Sequence, residues 1–400
     1  MSHPTHNYTS LFTRRQTLMA LLGSIALPGC GGGSVAGLSS GGTGSFTNGV
    51  IIGLGSIIVN GIRYDDTKAT VNGGTGASND LKLGMVVSVQ GSSVTPPTVT
   101  GGLATATASS ISYGSEWKGP IDSVNVSEKS FVMLGQTVHW LTNTVFSPGP
   151  IESIGIPIYA EVYGFVNAAD GVLQASRVEF SSRQPDEYRL SGAISNLNTE
   201  GDTFELGDAV INFGSAPKLS DLQDGIMVRV DIDPESTGSP WAANRVRTVN
   251  PLGDINNSDD DEAEIEGSIT DFTSGSLFLS VNGIPVDASL ADFDPRNLTL
   301  GLGLRVKVEG AVVNGTVVAS KVELESDEAV AAREFEFHDR ISQLDTILRT
   351  FKVRGNLVTY TDKTTLDLHS NSLADELRVE VKAVIGPNGQ LTATKIELDN

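Results

Sequence analysis

A ten-residue phrase recurs along this chain at nearly equal intervals, so any fold it adopts must be built several times over. The phrase is clearest at Asp170-Gly171-Val172-Leu173-Gln174-Ala175-Ser176-Arg177-Val178-Glu179. It returns from Asn314 to Glu323 and from Asn388 to Glu397. A worn copy runs from Ser239 to Arg247, and a fainter one lies at Gly102-Leu103-Ala104-Thr105-Ala106. The alanines at 106, 175, 243, 319 and 393 are spaced by 69, 68, 76 and 74 residues, too even for chance.

The segments between these phrases read as short strands. Openings such as Gly119-Pro120-Ile121, Gly192-Ala193-Ile194, Gly267-Ser268-Ile269 and Asp339-Arg340-Ile341 precede alternating runs. In Leu304-Arg305-Val306-Lys307-Val308-Glu309 a period of two puts the apolar residues on one face and the charges on the other. Asn60-Gly61, Asp170-Gly171, Asn282-Gly283, Asn314-Gly315 and Asn388-Gly389 supply the positive φ angles of tight hairpin turns. Five or six strands in about 65 residues form a small sheet that closure into a barrel frees of open edges. Gly310, with Gly91 and Gly164 at matching places, suits a bulge at a barrel corner.

The expected fold is therefore all-β, a tandem array of about five small closed β-barrels, OB-like or SH3-like. A disordered signal (1–29) and a Gly/Ser spacer (30–44) precede it. The repeats are expected at 45–114, 115–184, 185–253, 263–326 and, with a short linker helix, 327–400. An acidic linker is expected over 254–262, and the short joints predict an elongated rod.

The Gly-x-Ile opening, the Val-x-Val-x-Gly strand and the Asn/Asp-Gly…Ala…Val-Glu ending resemble the bacterial family catalogued as domain of unknown function 5666. The resemblance is clearest in repeats two, four and five. Repeat one lacks the Asp/Asn-Gly before its alanine, and repeat three has Ile232 in place of the bend glycine and Trp241 in its last strand. The resemblance implies tandem units in exported or lipoprotein-like chains, and no known activity or catalytic residue.

The N-terminus carries an address. Cys30, the one cysteine, ends Leu27-Pro28-Gly29-Cys30 after the apolar stretch Leu18 to Leu27. That stretch is too short to span a bilayer, which takes about 20 residues, and Arg14-Arg15 precede it as in an export signal. The run looks like a lipobox, which implies lipidation at Cys30 and a membrane partner through acyl chains. Thr13-Arg14-Arg15-Gln16-Thr17-Leu18 fits a twin-arginine signal or an ordinary secretory one. Gly31 after the cysteine resembles the pattern of outer-membrane sorting, on the periplasmic or cell-surface face.

Chemistry is sparse elsewhere. With no second cysteine the body has no intrachain disulfide, so burial and sheet hydrogen bonds must hold it. A balance of 27 Lys+Arg against 48 Asp+Glu repels nucleic acid and anionic headgroups. His139, His338 and His369 have no nearby His or Cys at metal spacing, and no nucleophile elbow, zinc helix or phosphate loop occurs. No catalytic residue and no cofactor is expected. Asp254, Asp259 and Asp261 are weak calcium candidates without the spacing that wraps the ion. Trp117, Trp140, Trp241, Tyr159 and Tyr163 are candidate sugar platforms, with Tyr159 and Tyr163, in an apolar strand, alternatively core or barrel-wall residues. The expectation is a non-enzymatic, lipid-anchored envelope protein acting as a binding or spacer module, with an envelope protein as partner. The alternative is a glycan-binding lipoprotein.

Overall fold

A computed structural model of the chain describes residues 44–399 except 74–79, 101, 150, 152–158, 218, 220, 237, 250–260 and 387–388. The signal, Cys30, all of the spacer but Gly44, Asp254 and Asp259 lie outside the described residues.

Hairpin turns and alternating runs divide repeat one into β1 (Gly44–Leu54), β2 (Ile57–Val59), β3 (Ile62–Asp65), β4 (Thr70–Asn72), β5 (Val86–Ser92) and β6 (Ala104–Tyr113). β1 pairs antiparallel with β2 and β5, β2 with β3, and β5 with β6. A parallel contact between β3 and β6 closes the ring.

The same circuit returns in each repeat. Repeat two uses β7 (Trp117–Asn125), β8 (Ser130–Met133), β9 (Gln136–Ser147), β10 (Tyr159–Val166) and β11 (Leu173–Ser181). Repeat three uses β12 (Tyr188–Asn198), β13 (Thr203–Leu206), β14 (Ala209–Asn212), β15 (Met227–Ile232) and β16 (Trp241–Thr248). Repeat four has β17 (Glu262–Phe272), β18 (Phe278–Val281), β19 (Ile284–Asp287), β20 (Asp292–Asp294), β21 (Arg305–Val313) and β22 (Thr316–Leu324). A one-turn helix, α1 (Asp327–Ala331), follows; Ser326 caps it by accepting from the Ala329 N–H.

Repeat five has β23 (Phe335–Arg340), β24 (Ser342–Asp345), β25 (Thr350–Val353), β26 (Asn356–Thr359), β27 (Thr365–Asp367), β28 (Arg378–Ile385) and β29 (Leu391–Leu398). The parallel closures are β9–β11, β14–β16, β19–β22 and β26–β29.

Two close approaches explain the recurring glycines. In the opening phrase, a Cβ on Gly49, Gly119 or Gly267 would run into the turn residue Asn60, Leu134 or Asn282. Those turn residues hold φ near 50°, which lays their side chains over the first strand. Repeat five replaces the glycine with Asp339, and its turn residue Arg354 answers with an ion pair at 3.5 Å.

The second approach is a bulge in the last strand, present in all five repeats at Ser109, Ser176, Asn244, Ser320 and Thr394, beside Gly91, Gly164, Ile232, Gly310 and Ala383 of the penultimate strand. Each of those penultimate-strand residues pairs with the buried alanine that precedes the bulge: Ala108, Ala175, Ala243, Ala319 or Ala393. In repeat one this places the phrase alanine at Ala108, two residues beyond Ala106. A Cβ on Gly310 would overlap the Val318 carbonyl oxygen. Ile232 keeps the bulge of repeat three without a glycine.

The barrels do not stand in a rod. β1 pairs in parallel with β17 of repeat four and with β23 of repeat five. Repeats one, four and five thus share one nineteen-stranded sheet, and repeats two and three share one of ten strands. Backbone edges that a linear array would leave exposed find partners in distant repeats. Phe46 of β1 is buried in the core of barrel four beside Ala263 and Ile265. The cores of barrels one and five merge, as do those of two and three.

Outward faces are buried by this arrangement as well. Glu262, expected in the acidic linker, opens β17 and is buried beside Ser45. Glu264 is pushed up to about 7 by burial, despite its ion pair with Lys307. Glu266 meets Arg305 and Arg333, which outweigh its burial and hold it below the usual carboxylate range. Arg305 continues to Gln174 Oε1 at 3.0 Å and lies 4.7 Å over the Phe165 ring of repeat two.

Replacing Gly310 by alanine must shift the Val318 carbonyl. The expected loss is about 1–3 kcal/mol, read as a lower thermal midpoint and faster amide exchange in β21 and β22. An unchanged midpoint would show that the bulge is not crowded.

Candidate functional site

Barrels two and three meet through β7 and β12, where Trp117 Nε1–H donates to the Ser191 carbonyl at 2.9 Å. The joined outward faces form a continuous strip with one row in register across five strands. From β11 to β15 the row reads Glu179, Glu161, Lys118, Arg189, Asp231. The next row on β12, β15 and β16 is Ser191, Arg229, Arg247.

Three like-charged pairs therefore stand directly across strand pairings: Glu179 with Glu161, Lys118 with Arg189, and Arg229 with Arg247. Such neighbours destabilise a sheet. Buried Asp231 takes Arg189 Nε at 3.1 Å and Arg247 Nη2 at 2.7 Å. Arg229 reaches Glu116 only at 3.4 Å and lies across Gly114. Among the described residues the Lys118 ammonium has no ion-pair or hydrogen-bond partner.

Repeat one covers this strip and leaves a cleft of about 500 Å³. It adds Asp80, Lys82 and Tyr113 to the lining, so five cations face three carboxylates in a chain of net charge −21. Lys82 Nζ binds Glu179 at 3.0 Å, and Arg177, itself buried, holds the same carboxylate at 2.7 Å. These cations outweigh burial and keep Glu179 below the usual carboxylate range.

Tyr113 is pushed up to about 12 by burial, then by Asp80, Glu161 and Glu179. Tyr163 is raised by burial and the same two glutamates. Both phenols thus remain neutral O–H donors at the cleft. The opening continues past Lys118 into a recess of about 300 Å³ beside Tyr159 and Arg183.

The residues singled out in the sequence lie elsewhere or serve as core. Trp117 and Trp140 are buried, Trp140 packing edge-on against Phe146, and Tyr163 is buried too, so these three offer no open stacking face. Tyr159 stacks with Tyr188 at the rim, and Trp241 is half-buried in β16. Asp261, the one calcium candidate among the described residues, is buried against Gly44. The cleft residues were legible only as outward positions of alternating strands. Their convergence depends on register between repeats, although repeat three's strand arginines at 189, 229, 245 and 247 were a usable signal.

A second ionic cluster joins repeats one and five. Glu336, His338 and Glu380 bring ligand-type atoms within 4.8 Å of one another. Arg63 Nη1 stands 2.7 Å from His338 Nε2, and its Nη2 pairs with Glu336. Burial raises Glu336, but His338, Arg63 and Lys382 outweigh it and hold it below its ordinary range. A guanidinium therefore supplies the positive charge that a metal would bring.

Segments 118–179, 266–323 and 340–397 match the family described as Domain of unknown function (DUF5666). The chain thus carries three repeats of that domain, in repeats two, four and five. No curated protein matches the chain. Among solved structures it is similar to "drosophila Unr CSD456" at 10% identity, over 54% of this chain and 98% of that one. The TM-score of 0.14 is too low to bear on fold or function.

With Arg63 seated in the Glu336–His338–Glu380 cluster, adding zinc to the full chain is expected to leave its thermal midpoint unchanged. A rise of several degrees that Glu380→Gln abolishes would show the ion displacing the guanidinium.

Proposed function

We propose that this protein is a non-enzymatic, lipid-anchored binding protein of the bacterial envelope, whose ligand sits in the cleft between repeats one, two and three. The observation that carries the reading is the strip of opposed cations under the cleft. A sheet surface serving stability alone gains nothing from Lys118 facing Arg189 and Arg229 facing Arg247. A cleft of this size falls within the range of about 300–1,000 Å³ typical of small-ligand sites.

The barrels themselves read as OB-like. Their strand order, with the third strand parallel to the last, supports that class over an SH3-like barrel of antiparallel neighbours. The Leu27-Pro28-Gly29-Cys30 run supports lipid attachment at Cys30, and Gly31 supports the outer membrane. Joined barrels make a pure spacer a weaker reading, because β1 ties repeats one, four and five together.

Two measurements test the proposal. Palmitate labelling in cells is expected to be lost in Cys30→Ala; persistent labelling would sink the anchor. Acylation of Lys118, compared with exposed Lys363, is expected to fall in intact cells relative to the purified protein. Equal reactivity in both settings would sink the cleft as a site occupied in cells.

A further inference from the structure

The cleft has a polarity that selects among ligands. Along the registered row, Glu179 and Glu161 of barrel two occupy one end, and Lys118 and Arg189 follow toward barrel three. Arg229 and Arg247 extend the basic end. A ligand lying across the strip meets acceptors at one side and charged donors at the other.

We infer that the cleft binds an acidic saccharide, one whose sugar units carry a carboxylate together with free hydroxyls. This rests on the cleft being the binding site. The carboxylate suits the basic end, where Arg229 and Arg247 offer planar forks and Lys118 an uncommitted ammonium. The hydroxyls suit the acidic end, because Glu161 accepts from an O–H and tolerates no second anion. The Tyr163 O–H donates to Glu161 at 3.4 Å and Tyr113 hydrogen-bonds Asp80, so the neutral phenols hold these carboxylates in place and offer their oxygen lone pairs to sugar hydroxyls.

Denser anions fit poorly. A phosphate chain long enough to span the strip would set negative charge against Glu161, Glu179 and Asp80, on a chain of net charge −21. A neutral saccharide would leave Lys118 and its arginine neighbours without the partner their crowding calls for. Singly charged units spaced by hydroxyls satisfy both ends.

The test is calorimetric titration of the full chain, in detergent, with trigalacturonate, galactotriose and inorganic pyrophosphate. Trigalacturonate is expected to bind, with affinity falling as salt rises, and galactotriose and pyrophosphate to bind at least about tenfold more weakly. Lys118→Glu is expected to weaken trigalacturonate by about tenfold or more, while Lys363→Glu leaves it unchanged. Circular dichroism of both variants checks that they fold.

Equal binding of galactotriose, or tighter binding of pyrophosphate, would overturn the acidic-saccharide inference while a Lys118→Glu effect still marked the cleft. Trigalacturonate binding indifferent to Lys118→Glu would overturn the inference and the cleft together. No binding of trigalacturonate would overturn the inference alone, since protection of Lys118 in cells reads occupancy independently.

Discussion

The structure depends on how the two edges of β1 are used. This eleven-residue strand pairs with β2 and β5 of its own barrel, then with β17 and β23 of repeats four and five. Unpaired backbone groups at a strand edge are costly when covered by protein, so each borrowed pairing fixes a distant barrel in orientation as well as position. Phe46 completes the tie by leaving its own barrel and filling the core of the fourth. A chain whose neighbouring repeats share only short joints thereby becomes an assembly in which the first repeat touches the last.

Bringing barrels together has an electrostatic consequence. Outward faces that would be solvated in a linear array must be matched against one another. Glu266, Arg305, Arg333 and Glu325 do this by pairing. Arg63, Glu336 and His338 do it between repeats one and five. In both places each charge finds an opposite within ion-pair reach, and the result is structural. The strip beneath the cleft behaves differently: two pairs of cations face each other, and Asp231 is shared between two arginines. That contrast within one molecule separates the cleft from the other charged surfaces.

Much of each barrel was legible along the chain because its determinants are local. The Asn-Gly turns hold positive φ at Asn60, Asn282 and Asn314, and Val306 and Val308 point into a core. The bend glycines mark true bulges, since backbone from the last strand passes too close for a Cβ. The worn repeats show the limit of this reading. Repeat three keeps its bulge opposite Ile232 without the glycine, and Ala108 rather than Ala106 adjoins the bulge of repeat one. The aromatic candidates misled because a tryptophan in an alternating strand gives no sign of which face it takes. Trp117 and Trp140 took the inner one.

The sequence by itself determined the repeat, the strand alternation, the turns and the chemical scarcity of the chain, because a period of two and a tight turn are settled within a few residues. The motif at Cys30 likewise belongs to the linear chain. Only the tertiary structure decided that the barrels share sheets across non-neighbouring repeats, and that Lys118, Arg189, Arg229 and Arg247 meet on one surface. Those outcomes depend on register between strands as many as 283 residues apart, as in the pairing of Gly53 with Glu336 and Leu54 with Phe337. Side-chain periodicity fixes which face a residue takes, but carries no information about which distant edge lies beside it.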